Sequence, residues 1–171
     1  MREEEMLVEV RVFGLAMDPV TSTPIVILKD LDEKRAIPIW IGLFEASAIA
    51  TQMEGVNLAR PMTHDLMNEL LKILDAKVLK IVINDLRNNT FFAVIHILNG
   101  EVPLTIDSRP SDAIALALRA NAPIFIDEKV IEKSTSIDFG SKTKDLNKYS
   151  KEQLKEFLEN LSSEDFGKYK M

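Results

Sequence analysis

The sequence predicts an α+β fold. One strand-strand-strand-helix unit occurs twice, and its strands form a mixed or antiparallel sheet packed with helices. Three observations carry this reading. Runs with β periodicity give way to helical periodicity, and the order then starts again. At an offset of 67, "PIWIGLFEASAIA" (38–50) lies over "TIDSRPSDAIALA" (105–117) without a gap, matching Ile39, Ala46, Ala48 and Ala50 and setting Glu45 over Asp112. The same offset lays Asp18 on Asp85, Thr23 on Thr90 and "IVIL" on "FAVI". The identities are few, so the shared order of elements is the stronger support for an internal duplication.

The elements follow in chain order. "EMLVEVRVFGLAM" is β-rich, "PIVILKD" is a short apolar run and "RAIPIWIG" ends at a glycine, which places strands near 7–17, 24–29 and 36–41. Ala46, Ile49, Ala50 and Met53 recur at helical spacing, giving a helix from about 43 to 54. A second helix, about 63–74, puts Leu66, Leu70, Ile73 and Leu74 on one face. Strands near 77–85, 90–98 and 102–107 are separated by "NN" (88–89) and "NG" (99–100), both hairpin-turn pairs. A third helix spans about 110–120, and "APIFI" (122–126) reads as a last short strand.

From about 127 onward the pattern weakens. We read one domain over 1–133, a polar linker over 134–149 and a C-terminal amphipathic helical tail over 150–171, with Leu154, Phe157, Leu158 and Leu161 on one face. A chain of 171 residues that is 46% hydrophobic can bury a proper core. No apolar run approaches the roughly 20 residues that span a bilayer, so no membrane association is expected. The N-terminus "MREEEMLVEV" is acidic where a signal peptide is basic, and there is no cysteine, so a cytoplasmic protein without disulfides or thiolate chemistry is expected. The net charge of −6 argues against coating nucleic acid by bulk electrostatics. A polyanion would have to be met by a local cluster of Arg and Lys, or through a bridging divalent metal.

Two phrases carry chemistry: "RPMTHDL" (60–66) and "DSRPSDAIALALR" (107–119). In the first, Thr63 suits an N-cap, Pro61 a first turn, and Asp65 compensates the helix dipole. That leaves Arg60 and His64 unexplained, since a cation at a helix N-terminus is mildly unfavourable. Helix-start amides with a hydroxyl and an Arg can instead seat a phosphate, with His64 beside it as acid, base or ligand. In the second phrase Ser108 or Ser111 can cap, and Arg109–Asp112 can be a local ion pair. Asp107 closes an apolar strand where a turn begins, a favoured place for site residues. Glu45 alone reads as a dipole-compensating acid. If the two halves pack about a pseudo-twofold axis, Glu45, Asp107, Asp112, Asp65 and His64 gather oxygen ligands and an imidazole, which suits Mg²⁺ or Mn²⁺. His96 and Trp40 read as core residues. P-loop, G-x-G-x-x-G, G-x-S-x-G and H-E-x-x-H motifs are all missing, which removes the common nucleotide-binding and hydrolase readings.

"IPIWIGLFEASAIA", "RPMTHDL", "DSRPSDAIALALR" and "APIFI", in this order and spacing, closely resemble the bifunctional nuclease domain family over about residues 6–133. The tail's "LKEFLENLSSEDFGKY" is similar to a C-terminal extension of many bacterial members. The resemblance implies a compact α+β domain, usually a homodimer, and cleavage of both DNA and RNA. Carried onto this sequence, its motif positions are Glu45, Arg60, Thr63, His64, Asp65, Asp107, Arg109, Ser111 and Asp112. We expect His64, Asp65, Asp107, Asp112 and Glu45 to act in catalysis, with Asp107, Asp112 and Glu45 holding Mg²⁺ or Mn²⁺. Arg60, Thr63, Arg109 and Ser111 are expected to bind the substrate. The alternative reading is a non-catalytic binding or regulatory module for an anionic ligand or partner protein.

Overall fold

The computed structural model describes residues 6–136. Its strands are β1 (Leu7–Met17), β2 (Pro24–Asp30), β3 (Ala36–Trp40), β4 (Ala76–Arg87), β5 (Thr90–Asn99), β6 (Val102–Ser108) and β7 (Ile124–Asp127). Its helices are α1 (Leu43–Met53), α2 (Thr63–Ile73), α3 (Pro110–Ala120) and α4 (Glu128–Ser136). The strands make one seven-stranded sheet in the order β3-β2-β1-β7-β4-β5-β6. Neighbours pair antiparallel except β4 with β7, which run parallel. The order reads outward from β7 as β1, β2, β3 on one side and β4, β5, β6 on the other. Helices α1 and α3 start and end at positions 67 apart, and they pack on each other.

Burial explains the pattern of each strand. All seven residues of β2 are buried, because successive side chains enter opposite faces and both faces are covered. Val26 and Leu28 join the main core with Ile49 of α1 and Ile114 of α3, while Ile25 and Ile27 join a smaller cluster with Ala16, edged by Phe13, Ala36 and Trp40. Trp40 is therefore half-buried at a margin and not a core residue. His96, also expected in the core, is half-buried in β5 opposite Thr105 of β6. The expected "NN" turn is present, with Asn88 and Asn89 both at positive φ, as a two-residue hairpin of this type demands.

Two expectations need correction. Residues 128–136 form α4, where we expected the structured pattern to weaken and a linker to begin at 134. Buried Val130 and Ile131 join α4 to the core, and Asp127 Oδ1 accepts the Lys129 N–H at 3.0 Å, capping the helix start. The rest of the expected linker and the tail lie outside the described residues. Secondly, none of Thr63, Ser108 and Ser111 is an N-cap; Met62 and Arg109 occupy those positions, and neither makes a side-chain cap bond. The face of α2 that carries Leu66, Leu70 and Ile73 points outward, while Met67 and Leu71 pack against the core. Leu66 is 53% and Ile73 78% exposed, with Leu70 and Leu74 also exposed, while His64 and Asn68 are buried. Polar partners on α3 decide this rotation: His64 meets Asp112, and the Asn68 amide reaches the Arg119 carbonyl at 3.4 Å. Among the described residues no helix is long and apolar enough to cross a membrane.

Candidate active site

Each of α1, α2 and α3 carries an acid three residues past its N-cap: Glu45 after Gly42, Asp65 after Met62 and Asp112 after Arg109. Such an acid faces the unpaired amides and positive dipole end of its helix. Packing of α3 against both α1 and α2 then brings the three helix starts together.

At their meeting point four side chains form a chain. His64 Nε2 lies 3.0 Å from Asp112 Oδ1; Arg109 Nε donates to Asp112 Oδ2 at 2.7 Å; and Arg109 Nη1 pairs with Glu45 Oε1 at 2.7 Å. One histidine from the first motif and an Asp-Arg pair from the second thus share one carboxylate. Burial works to raise the Asp112 carboxyl, but the hydrogen bonds and charges of Arg109 and His64 outweigh it and hold it below the usual carboxylate range. Asp112 is therefore ionised near neutrality and is the acceptor, which places a proton on His64 Nε2 and turns Nδ1 away from Asp112. The Asp112 contact, with the Glu45 pair beside it, in turn keeps Arg109 firmly protonated. Arg109 is 65% exposed and has five N–H donors, of which two are engaged, so the others face solvent.

Asp65 takes a different part. Its Oδ2 accepts the Met62 backbone N–H at 2.9 Å and its Oδ1 accepts Arg119 Nε at 2.5 Å. Each oxygen already has a donor, so Asp65 fixes the start of α2 and is engaged apart from the His64–Asp112 pair. Arg119 is 5% exposed; its Nη1 also donates to the carbonyls of Ala48 at 3.0 Å and Ala115 at 2.9 Å. One buried guanidinium thus ties α1, α2 and α3 together beneath the site. The sequence reading quoted Arg119 within its motif but assigned it no role, because its partners lie 54 and 71 positions away.

The other expected residues are spread around this centre. Thr63 is exposed on the rim of a cavity of about 540 Å³, which Glu45, His64, Arg109 and Asp112 also line. Ser111 is buried and lines a second cavity on the far side of Arg109. Arg60 is exposed, two residues before the α2 N-cap, with no partner among the described residues. Asp107 is exposed near the end of β6 and shares no bond with the cluster among the described residues. Ligation of Mg²⁺ or Mn²⁺ needs several oxygens around one point. Among the described residues no group of three or more His, Asp or Glu side chains is placed to hold an ion. Glu45 and Asp112 are instead bridged by Arg109, whose charge opposes a cation there. As held, these donors fit a divalent ion poorly.

The sequence reading used Gly42 only as the end of a strand run and gave it no part in the site. A Cβ at this position would overlap the Glu45 carboxylate, which folds back over the helix start. Only a flexible side-chain end has to move, so Gly42→Ala should shift Tm by no more than about 3 °C. It should nevertheless displace Glu45 from Arg109 and lower any activity of the site about tenfold. Parallel melting curves and rate measurements check this; unchanged rates would remove Glu45 from the site.

The family model described as "Bifunctional nuclease domain" matches residues 26–138. Two proteins of Mycobacterium tuberculosis are each 35% identical over 162 residues, spanning 92% of this chain and 97% of their own length. They are "Uncharacterized protein MT1877" of strain CDC 1551 / Oshkosh and "Uncharacterized protein Rv1829" of strain ATCC 25618 / H37Rv. The chain is thus similar to both over most of its length, and neither printed name assigns an activity.

Proposed function

The chain belongs to the bifunctional nuclease domain family, and from that premise we propose that it hydrolyses phosphodiester bonds of DNA and RNA at the His64–Asp112–Arg109–Glu45 cluster. The observation that carries this reading is the sharing of Asp112 between His64 on one oxygen and Arg109 on the other. Asp112 orients the imidazole and stabilises the imidazolium that forms when Nδ1 takes a proton from water. That water attacks phosphorus, the bond from phosphorus to the leaving oxygen breaks, and solvent supplies the leaving oxygen's proton. Arg109, through its unengaged N–H groups, binds the phosphate and offsets the charge that builds on its oxygens. Arg60 and Thr63 extend the phosphate-binding surface on the α2 side. Catalytic contacts to phosphate that do not involve the 2′-hydroxyl account for acceptance of both DNA and RNA.

The test is cleavage of labelled single- and double-stranded DNA and RNA by the purified chain, with Mg²⁺, with Mn²⁺ and with EDTA. An Asp107→Asn/Asp112→Asn variant purified identically is the control. The metal arms examine the divalent ion expected from the sequence. Cutting that the variant loses supports the reading; cutting equal in both overturns it. One observation favours a second reading, the binding module: the carboxylates are already bridged by Arg109 and gather no metal cage. That reading predicts anion binding that survives chelation, with no turnover.

We further propose that the working species is a cytoplasmic homodimer. Leu66, Leu70, Ile73 and Leu74 make an exposed apolar stripe along α2, and a stripe of this kind on a water-facing helix marks an interface. A Leu70→Glu/Ile73→Glu variant should elute at half the mass of the native chain in light-scattering chromatography. A native chain that is monomeric at micromolar concentration would overturn the dimer.

A further inference from the structure

A larger cavity, of about 680 Å³, opens on the other side of Arg109 and Glu45, and these two residues line both cavities. Its apolar wall comes from Ile39 and Trp40 at the end of β3 and from Phe91 at the start of β5. Thr23 and Asn89 add a hydroxyl and an amide. The Trp40 indole is held in place: its Nε1 donates to Asp18 Oδ2 at 2.9 Å, and Asp18 Oδ1 is fixed by the backbone N–H of Val20 at 2.8 Å. Two aromatic side chains, one of them anchored, therefore stand beside a guanidinium that the acid–base pair also uses.

We propose that this cavity seats one unpaired nucleobase, so that the strand is taken single-stranded beside the Arg109 phosphate site. This deepens the nuclease reading and rests on it. A volume of this size admits a nucleotide. Aromatic faces stack on any base, which suits a protein that accepts both DNA and RNA. The Asn89 amide offers both a donor and an acceptor to a base edge. A base in a duplex is stacked and paired, and it cannot enter without leaving the helix. Arg109 stands where the phosphate next to that base would pass into the catalytic cavity.

Trp40 is the only tryptophan in the chain, so intrinsic emission reports on this cavity directly. The full chain is titrated with adenosine monophosphate and with ribose 5-phosphate, neither of which has a diester to cut, and with a strand of about ten nucleotides, single or duplexed, in the His64→Ala background so that the strand is not cut. The nucleotide and the single strand should quench emission saturably, and ribose phosphate should not. The duplex should bind at least about tenfold more weakly than the single strand, and Phe91→Leu should weaken the single strand by a similar factor. Leucine keeps the apolar packing of Phe91, and the comparison of nucleotide with ribose phosphate in the native chain decides the matter even where the variant melts. Equal quenching by ribose phosphate, equal response to duplex, or no response overturns the proposal. Cleavage without quenching overturns the base seat and leaves the nuclease reading standing. Quenching with no cleavage in Mg²⁺ or Mn²⁺ does the reverse.

Discussion

Asp112→Asn should slow phosphodiester cleavage by about 10³–10⁴-fold while leaving the chain folded. The amide is the same size as the carboxylate, so α3 keeps its packing. What changes is chemical. Asparagine carries no charge to stabilise an imidazolium, and its NH₂ group can meet Nε2 as a donor and reverse the ring's tautomer. Arg109 loses the stronger of its two anchors as well, so the phosphate cation is misplaced in the same variant. His64→Ala should cost about 10²–10⁴-fold by direct loss of the base. Circular dichroism and melting curves on the same preparations separate this from unfolding. Native rates in either variant would remove that residue from the mechanism.

Arg119→Met should have the largest effect on stability. Methionine fills much of the same volume but leaves Asp65 without its ion pair and removes one of two side-chain donors to the Ala48 carbonyl, the other being Thr51 Oγ1. Breaking a buried ion pair costs about 3–5 kcal/mol. Asp65 is about a third exposed, and water replaces part of the lost interaction, so we expect about 2–3 kcal/mol and a Tm lower by roughly 5–10 °C. The pair also gives the fold an acid limb. Burial pulls the Asp65 carboxyl up, but the Met62 N–H and Arg119 outweigh it and leave it below its ordinary value of 3.8. A depressed folded value means that the stabilisation is whole above the unfolded carboxyl value and is lost as pH falls through the folded one. The native Tm should therefore drop more between about pH 5 and about pH 2 than the Tm of Arg119→Met. Parallel slopes would show that Asp65 draws its stability from elsewhere.

Local periodicity made most of the fold legible before any coordinates. Residues 7–17, 90–98 and 110–120 alternate or repeat strongly enough to be assigned from pattern alone, and the offset of 67 recurs in the bounds of α1 and α3. The failures share a physical cause. Helix α4 buries only Val130 and Ile131 in its first turns, too few for a period to emerge from "EKVIEKSTS". The sequence put Leu66, Leu70, Ile73 and Leu74 on one face of α2 but could not say which way that face turns. Here the pairing of His64 with Asp112 and of Asp65 with Arg119 fixes the rotation. Grouping His64 with Asp112 and Glu45 was legible once two helix starts were suspected of meeting. The part played by Arg119 was not, because a lone Arg ending an alanine-rich helix gives no local sign of partners 54 and 71 positions upstream. Gly42 was silent for the same reason: the need for a missing Cβ shows only when Glu45 is seen folded over it.

We place the helix starts at 63–65 and 109–112 in one catalytic site. A double-mutant cycle in cleavage rate tests this most directly, pairing His64→Ala on α2 with Arg109→Ala on α3. Residues acting as a unit lose most of their effect together, so the double variant should be little slower than the slower single variant. Losses that multiply, or singles that cut at the native rate, would show that the two helix starts do not work on the same phosphate.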